Sequence, residues 1–272
     1  MSASTSERVA SGARPPRAFT HAVAAAGLPA RPASTEHVTE ADLAGLPPVA
    51  ARYLRAMGVV GRPRTWSLQA HFVGRFRRGP DQPWMPMDAW QYNSAVEVAR
   101  LFRMRLMFAR VVPMWGWDTY RSGSGRMLGK ALNLVTVADG SGPEFDTSEL
   151  VTWLNDAVLM APSMLLGNRT VWEAAGEDSF RVSVTDAGRT VGAEVFLDDQ
   201  GRPRDFRTED RFADLPGALV RAPWSTPVTS WTVADGRPRG TGGAAIWHLP
   251  DGELRYAEIA LVDLALDVPP GR

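Results

Sequence analysis

The sequence predicts a mainly β, α+β fold. The expected architecture is one large curved antiparallel sheet, or half-barrel, with one amphipathic helix on its concave face and short helices near the N-terminus. Three observations predict it. Apolar and polar residues alternate with period 2 in run after run between Trp66 and Asp267. One stretch breaks that rhythm: Leu150, Trp153, Leu154, Ala157, Val158 and Ala161 recur at the i, i+3, i+4 spacing of a helix. Asp235-Gly236 and Asp251-Gly252 each separate two alternating runs, which is the signature of a two-residue hairpin.

Composition sets the outer bounds. The 272 residues suit one large β domain, with 44% hydrophobic and 22% charged residues and a formal net charge of zero. The basic residues are spread along the chain, which argues against a nucleic-acid or anionic-surface footprint. No apolar run reaches the roughly 20 residues that span a bilayer. There is no cysteine, which excludes disulfides, thiolate nucleophiles and cysteine metal sites. Lys130 is the only lysine among 30 basic residues; with abundant Ala, Gly and Pro this points to a GC-rich, actinobacterial type of genome.

Residues 1–37 are rich in Ser, Ala, Pro and Arg and are expected to be a disordered leader, followed by a single β-rich domain over 38–272. Ala18–Ala30 weakly resembles a secretory signal, but Thr20 and His21 interrupt it, so a cytoplasmic location is expected over export. A short helix is expected from Thr39, then a second over Val49–Met57 with Val49, Tyr53, Leu54 and Met57 on one face. Strands are expected at Trp66–Phe76, Trp84–Tyr92, Ala99–Arg110, Val111–Tyr120 and Arg126–Thr136. A loop follows at Ala138–Gly142, then the helix over 146–161. Asp146 fits its N-cap and Glu149 a capping box. The second half reads as a meander, with Asp214–Pro227 as a Pro-containing loop.

Two constellations carry candidate function. Trp84, Trp90, Tyr92, Phe102, Met104, Phe108, Trp115 and Trp117, together with Trp153 of the helix, form an unusual concentration of aromatic and Met side chains. One helix is too small to cover a sheet of about ten strands, so these residues are expected to line a pocket for a hydrophobic small molecule or lipid-like ligand. Self-association into a homodimer would be another way to cover the open face. Lys130 is embedded among leucines and is followed by Asp139, Glu144, Asp146 and Glu149, so a structural ion pair is the leading expectation for it. A desolvated Lys130, with Asp88 or Asp118 as acid or base, is the catalytic alternative: a cofactor-independent cyclase or isomerase acting on a hydrophobic metabolite. No cofactor and no metal site are expected. The acidic run lacks calcium-loop spacing, and no HExxH or GxSxG motif is present.

LPPVAARYLRAMGVVGRPR at Leu46–Arg64, GRFRRG at Gly74–Gly79, the WMP…QY segment at Trp84–Tyr92, the ML-GK-LNLV-VAD-SG-E-D-EL-WL-AV run at Met127–Val158 and the carboxyl-end stretch TVADGRPRGTGGAAIWHLPDGELRY resemble a bacterial, mostly actinobacterial family whose members carry no assigned function. The likeness runs from about Leu46 to Asp267 and carries over no catalytic residues. At the level of fold, strands, an inserted helix and more strands are similar to the open half-barrel of periplasmic lipoprotein carriers. That resemblance implies a concave apolar cavity for acyl chains.

Overall fold

The computed structural model describes residues 14–32, 36–109, 111–215 and 218–272. The remaining parts of the expected leader, and Arg110 at the end of an expected strand, lie outside the described residues.

The alternating runs become strands β1 (Ser67–Phe76), β2 (Met85–Ser94), β3 (Ala99–Phe108), β4 (Val112–Arg121), β5 (Ser124–Ala131) and β6 (Val135–Ser141). After the central helix come β7 (Thr170–Ala174), β8 (Ser179–Asp186), β9 (Arg189–Leu197), β10 (Pro203–Thr208), β11 (Phe212–Leu215), β12 (Ala218–Arg221), β13 (Trp224–Ser225), β14 (Val228–Ala234), β15 (Arg237–Leu249) and β16 (Gly252–Leu266). Fourteen of these form one curled antiparallel half-barrel in the order β6-β5-β4-β3-β2-β1-β16-β15-β13-β10-β9-β8-β7, with β14 added to β15. The last strand returns to the middle and pairs with β1 and β15, so the two halves of the chain share one sheet.

The helices are α1 (Arg17–Ala25), α2 (Pro48–Ala56) and α3 (Pro143–Met160), with short 3₁₀ turns at Glu40–Leu43 and Pro162–Leu165. α3 connects β6 at one edge of the sheet to β7 at the other. Eighteen residues at 1.5 Å each span about 27 Å, so the helix crosses the concave side. α2 packs against β7 and β8 through Tyr53, whose ring lies 5.0 Å from that of Phe180 and whose hydroxyl donates to Val158 O of α3 at 2.8 Å. The expected apolar face of α2 is the one that is buried.

Four local expectations are corrected. α1 occupies part of the expected disordered leader; Phe19 and Val23 are buried against Trp90, Tyr92 and Leu101 on the outer face of the sheet, and that apolar contact orders the segment. The expected single strand Arg126–Thr136 is instead a hairpin, because Leu132 and Asn133 adopt left-handed φ values of 51° and 57° between β5 and β6. Asp214–Pro227, expected as a loop, contains the separate antiparallel pair β11 and β12. The central helix starts three residues earlier than expected. Gly142 takes φ 114°, which a side chain tolerates poorly, and Pro143 supplies a pre-set first residue. Asp146 is then free to accept from Gly125 N at 2.7 Å and from Arg189 at 3.0 Å, and Glu149 reaches the sheet instead of capping its own helix.

α3 also differs in its polar face. Leu150, Trp153, Leu154, Ala157 and Val158 are buried as expected, but so are Ser148, Glu149, Thr152, Asn155 and Asp156. The helix lies inside the curl, so its polar side meets the sheet and not bulk water. Those groups require partners there, since an unpaired buried polar group costs about 1–3 kcal/mol.

Candidate functional site: a cavity with a charged floor

Between the concave face and α3 is a cavity of about 370 Å³. That lies in the range of roughly 300–1,000 Å³ typical of small-molecule sites. The strand register explains its wall. One transverse row runs Ala70–Gln91–Phe102–Asp118–Met127 across β1 to β5, and the next runs Phe72–Ala89–Met104–Gly116–Gly129. Phe72, Phe102, Met104 and Met127 supply apolar surface, and Gly116 and Gly129 let neighbouring side chains lie close to the sheet: a Cβ on Gly116 would meet Met104 at 2.6 Å, and one on Gly129 would meet Ala138 at 3.3 Å. On the opposite wall Gly240, Gly242, Gly243, Ala244 and Ala245 of β15 border the cavity. Phe212, Leu215 and Leu219 of the β11–β12 pair also border it.

Trp224, Trp247 and Tyr256 form an aromatic side to the cavity. The Arg211 guanidinium lies 4.1 Å from the Trp224 ring, and both Arg211 Nη1 and Trp224 Nε1 donate to Tyr256 Oη, at 3.1 and 3.0 Å.

The floor is charged. Arg100 of β3 donates through Nη1 to Glu149 Oε2 at 2.8 Å and through Nε to Asp156 Oδ2 at 2.9 Å; Asn93 Nδ2 donates to the same Asp156 oxygen at 3.1 Å. Asp118 and Arg211 face this cluster closely enough to shift its protons. Burial pushes the Asp118 carboxyl above its ordinary value, against the opposing pull of Arg100 and Arg211. Asp118 keeps only partial exposure and lines the cavity, with its Oδ1 buried, which is why burial dominates its titration. Glu149 is pushed up to about 7, by burial first and then by the Asp118 charge. Burial also raises Asp156, opposed by Arg100 and its hydrogen bonds.

The sequence candidates separate by face. Phe102, Met104 and Asp118 lie on the cavity wall, and Trp115 also borders it. Trp90 and Trp117 sit on the outer face in the row Trp90–Arg103–Trp117, and with Tyr92 they belong to the cluster covered by α1. Trp84 is stacked between Arg75 and Arg77, at 4.6 and 4.7 Å. Phe108 is exposed near the end of β3, and Trp153 is buried in α3 with its Nε1 donating to Ser94 O at 2.9 Å. Asp88 and Lys130 share an outer row with Arg105 and Trp115. Asp88 contacts His71 Nε2 at 3.1 Å. Lys130 forms no ion pair among the described residues; the carboxylates expected beside it pair with arginines, Asp139 with Arg126, Asp146 with Arg189 and Glu149 with Arg100. The trio Lys130, Asp88 and Asp118 is therefore not assembled, and only Asp118 reaches the cavity.

Another line of groups has nucleophile-like geometry. Ser225 Oγ lies 2.8 Å from His248 Nε2, and His248 Nδ1 lies 3.1 Å from Glu253 Oε1. Ser225 is 2% exposed, and its neighbours Trp224 and Thr226 are the ones on the cavity wall, so the serine is turned away from any space for a substrate. These contacts tie β13 to β15 and to the start of β16. Among the described residues, no group of three or more His, Cys, Asp or Glu is placed to hold a metal, and no helix is long and apolar enough to cross a membrane.

Fold and cavity together define a class: an open antiparallel half-barrel closed by an internal helix around an apolar cavity with a charged floor. Residues 36–259 match a family of unknown function (DUF6544), and the chain belongs to that family. A comparison with curated proteins gives no match. Among solved structures, the chain is similar to a LolA superfamily protein from Nitrosomonas europaea at 12% identity and TM-score 0.43, over 80% of this chain and 93% of that one. It is also similar to a DUF1329 family protein from Desulfovibrio piger, at 12% identity and TM-score 0.43, over 86% and 95% of the two chains. At those values neither likeness identifies a ligand.

Proposed function

We propose that this protein binds a hydrophobic small molecule, lipid-like in its apolar body, in the cavity between the sheet and α3. The observation that carries the reading is the lining: Phe72, Phe102, Met104, Met127, Leu159 and Ile259 all border one continuous space between the sheet and α3. A core optimised only for stability would be packed to the density of an organic crystal, because each void forfeits dispersion contacts. A void of about 370 Å³ is kept between the sheet and α3 at that cost.

Two measurements test it. Native mass spectrometry of protein purified from cells should show an apolar molecule bound with unit stoichiometry. Stripped protein should take up a fluorescent apolar probe saturably. A clean apo mass together with non-saturable uptake would reject the reading.

A further inference from the structure

We propose that the ends of the β3–β4 and β5–β6 hairpins dock on an anionic lipid bilayer, and that an apolar molecule passes there between the bilayer and the cavity. The passage rests on the proposed function; the docking does not. Among the described residues eleven large hydrophobic side chains are exposed, and six of them belong to these two hairpins: Phe108, Val111, Leu132, Leu134, Val135 and Val137. The hairpin ends adjoin each other. Leu132 N donates to Pro113 O at 3.0 Å, and Met114 pairs with Ala131. A cluster of exposed apolar side chains on one end of a sheet marks an interaction surface.

The strand register joins this cluster to the cavity. The row that follows Met104–Gly116–Gly129 on the same face is Met87–Leu106–Met114–Ala131–Val135. Met87, Leu106 and Met114 line the cavity, and Val135 is exposed. Val137 both lines the cavity and is exposed. Arg100, on the charged floor, lies six residues back along β3 from Leu106, or about 20 Å. An apolar molecule thus has an apolar path to the hairpin ends that avoids the floor.

Charge selects the occupant. Over the whole chain bases and acids balance at 30 each. Residues 102–117 and 127–138 depart from that balance, with Arg103, Arg105, Arg110 and Lys130 and no carboxylate. Two acids stand close by: Asp139 is held by Arg126, and Asp88, opposite Arg105, contacts His71. Lys130 is two residues from Leu132 and Arg105 three from Phe108, which is about 7–10 Å along a strand. Apolar ends that enter a bilayer by about 5–10 Å would hold these cations at the level of the lipid phosphates. A second copy of the chain on the same patch would instead bring Lys130 and Arg105 against their own counterparts.

The test is flotation of the full chain with vesicles of phosphatidylcholine alone or of equal parts phosphatidylcholine and phosphatidylglycerol. The parent should float with the anionic vesicles and far less with the neutral ones. Lys130→Gln should weaken that binding about fivefold, the factor one cation contributes near an anionic surface. Leu134→Asp should weaken it by about tenfold or more with Tm unchanged, because Leu134 is exposed and packs on nothing that the change would disrupt. A fluorescent apolar probe preloaded in the anionic vesicles should pass to the parent faster than to Leu134→Asp. Absence of flotation, equal flotation on neutral vesicles, or equal flotation of Leu134→Asp overturns the docking surface. So does a parent dimer that Leu134→Asp converts to monomer in sedimentation, since the patch then belongs to a second copy. Uptake of probe from solution without transfer from vesicles overturns the passage. Flotation without any uptake of probe from solution rejects the cavity reading and leaves the docking surface standing.

Discussion

Arg100 Nη1 and Glu149 Oε2 meet at 2.8 Å with each side chain only 5% exposed, and this contact joins β3 to the polar face of α3. Removing two charges from water costs several kcal/mol per ion, and the cost is recovered only if both remain paired. Arg100 also holds Asp156, so it compensates two buried carboxylates at once.

Arg100→Met should therefore be strongly destabilising at pH 7, by about 3–5 kcal/mol, because it leaves Glu149 and Asp156 uncompensated while keeping side-chain volume. The loss should shrink as the pH is lowered and the two carboxyls become neutral. Denaturant unfolding at pH 5 and pH 7 reads both effects. A deficit independent of pH would mean that Arg100 acts through packing alone.

Glu149 gives a separate pH signature. Its folded value of about 7 lies above its ordinary 4.5, raised by burial first and then by the Asp118 charge. The folded protein thus binds this proton more tightly than the unfolded chain does. The contribution is fully present below pH 4.5 and is lost as the pH rises toward 7. The charged groups that face it are Asp118 of β4, Arg100 of β3, Asp156 of α3 and Arg211 beside β11. Glu149→Gln should remove this downward slope, so the difference in Tm between parent and variant should change steadily across that window. A constant difference would show that Glu149 does not take up the proton.

How far the sequence goes toward this arrangement depends on what periodicity can report. Alternation identifies β1 to β4 to within a residue or two, because each strand has one apolar face, and the i, i+3, i+4 pattern finds α3. Periodicity states which side chains share a face; it is silent on what the face meets. Periodicity therefore gives the polar face of α3 no partner and leaves Glu149 to read as a cap, although that face is buried in the molecule. A signal was present. Arg100 lies on the Phe102 and Met104 face of its strand, and Glu149 and Asp156 are two helical turns apart on one face, which together spell a buried charge cluster. Lys130 misled because a leucine-rich run looked like one strand. The turn at Leu132 and Asn133 instead leaves Leu132 54% and Leu134 83% exposed, so two of the leucines expected around the lysine face solvent. The aromatic residues split between two faces for a related reason: nothing in the chain announces that α1 covers Trp90 and Tyr92 from outside.

Filling the cavity should separate binding from folding. Ala245 borders the void and is 4% exposed. In a filled core, adding three carbons typically costs 1–3 kcal/mol through overpacking. Here the added atoms have space, so Ala245→Leu should change Tm by no more than a few degrees while sharply reducing saturable uptake of an apolar probe. Calorimetry and probe titration on the same sample measure the two. A large fall in Tm with unchanged uptake would place the ligand elsewhere.

The outer contact of α1 makes the last prediction. Phe19 is fully buried, with its ring centroid 6.4 Å from that of Trp90, and Trp90 in turn stacks on His71 at 4.3 Å. α1 covers only this patch, and its side chains do not enter the cavity. Truncating a buried Phe to Ala typically costs about 3–5 kcal/mol, but a terminal helix held by one face can be released without unfolding the sheet. Phe19→Ala should therefore speed hydrogen exchange in Arg17–Ala25 and shift tryptophan emission to the red as Trp90 meets water. Amides of β8 and β9 should keep their protection, and uptake of an apolar probe should persist. Loss of protection throughout the sheet would show instead that α1 is part of the cooperative unit, and that the outer cluster stabilises the half-barrel as a whole.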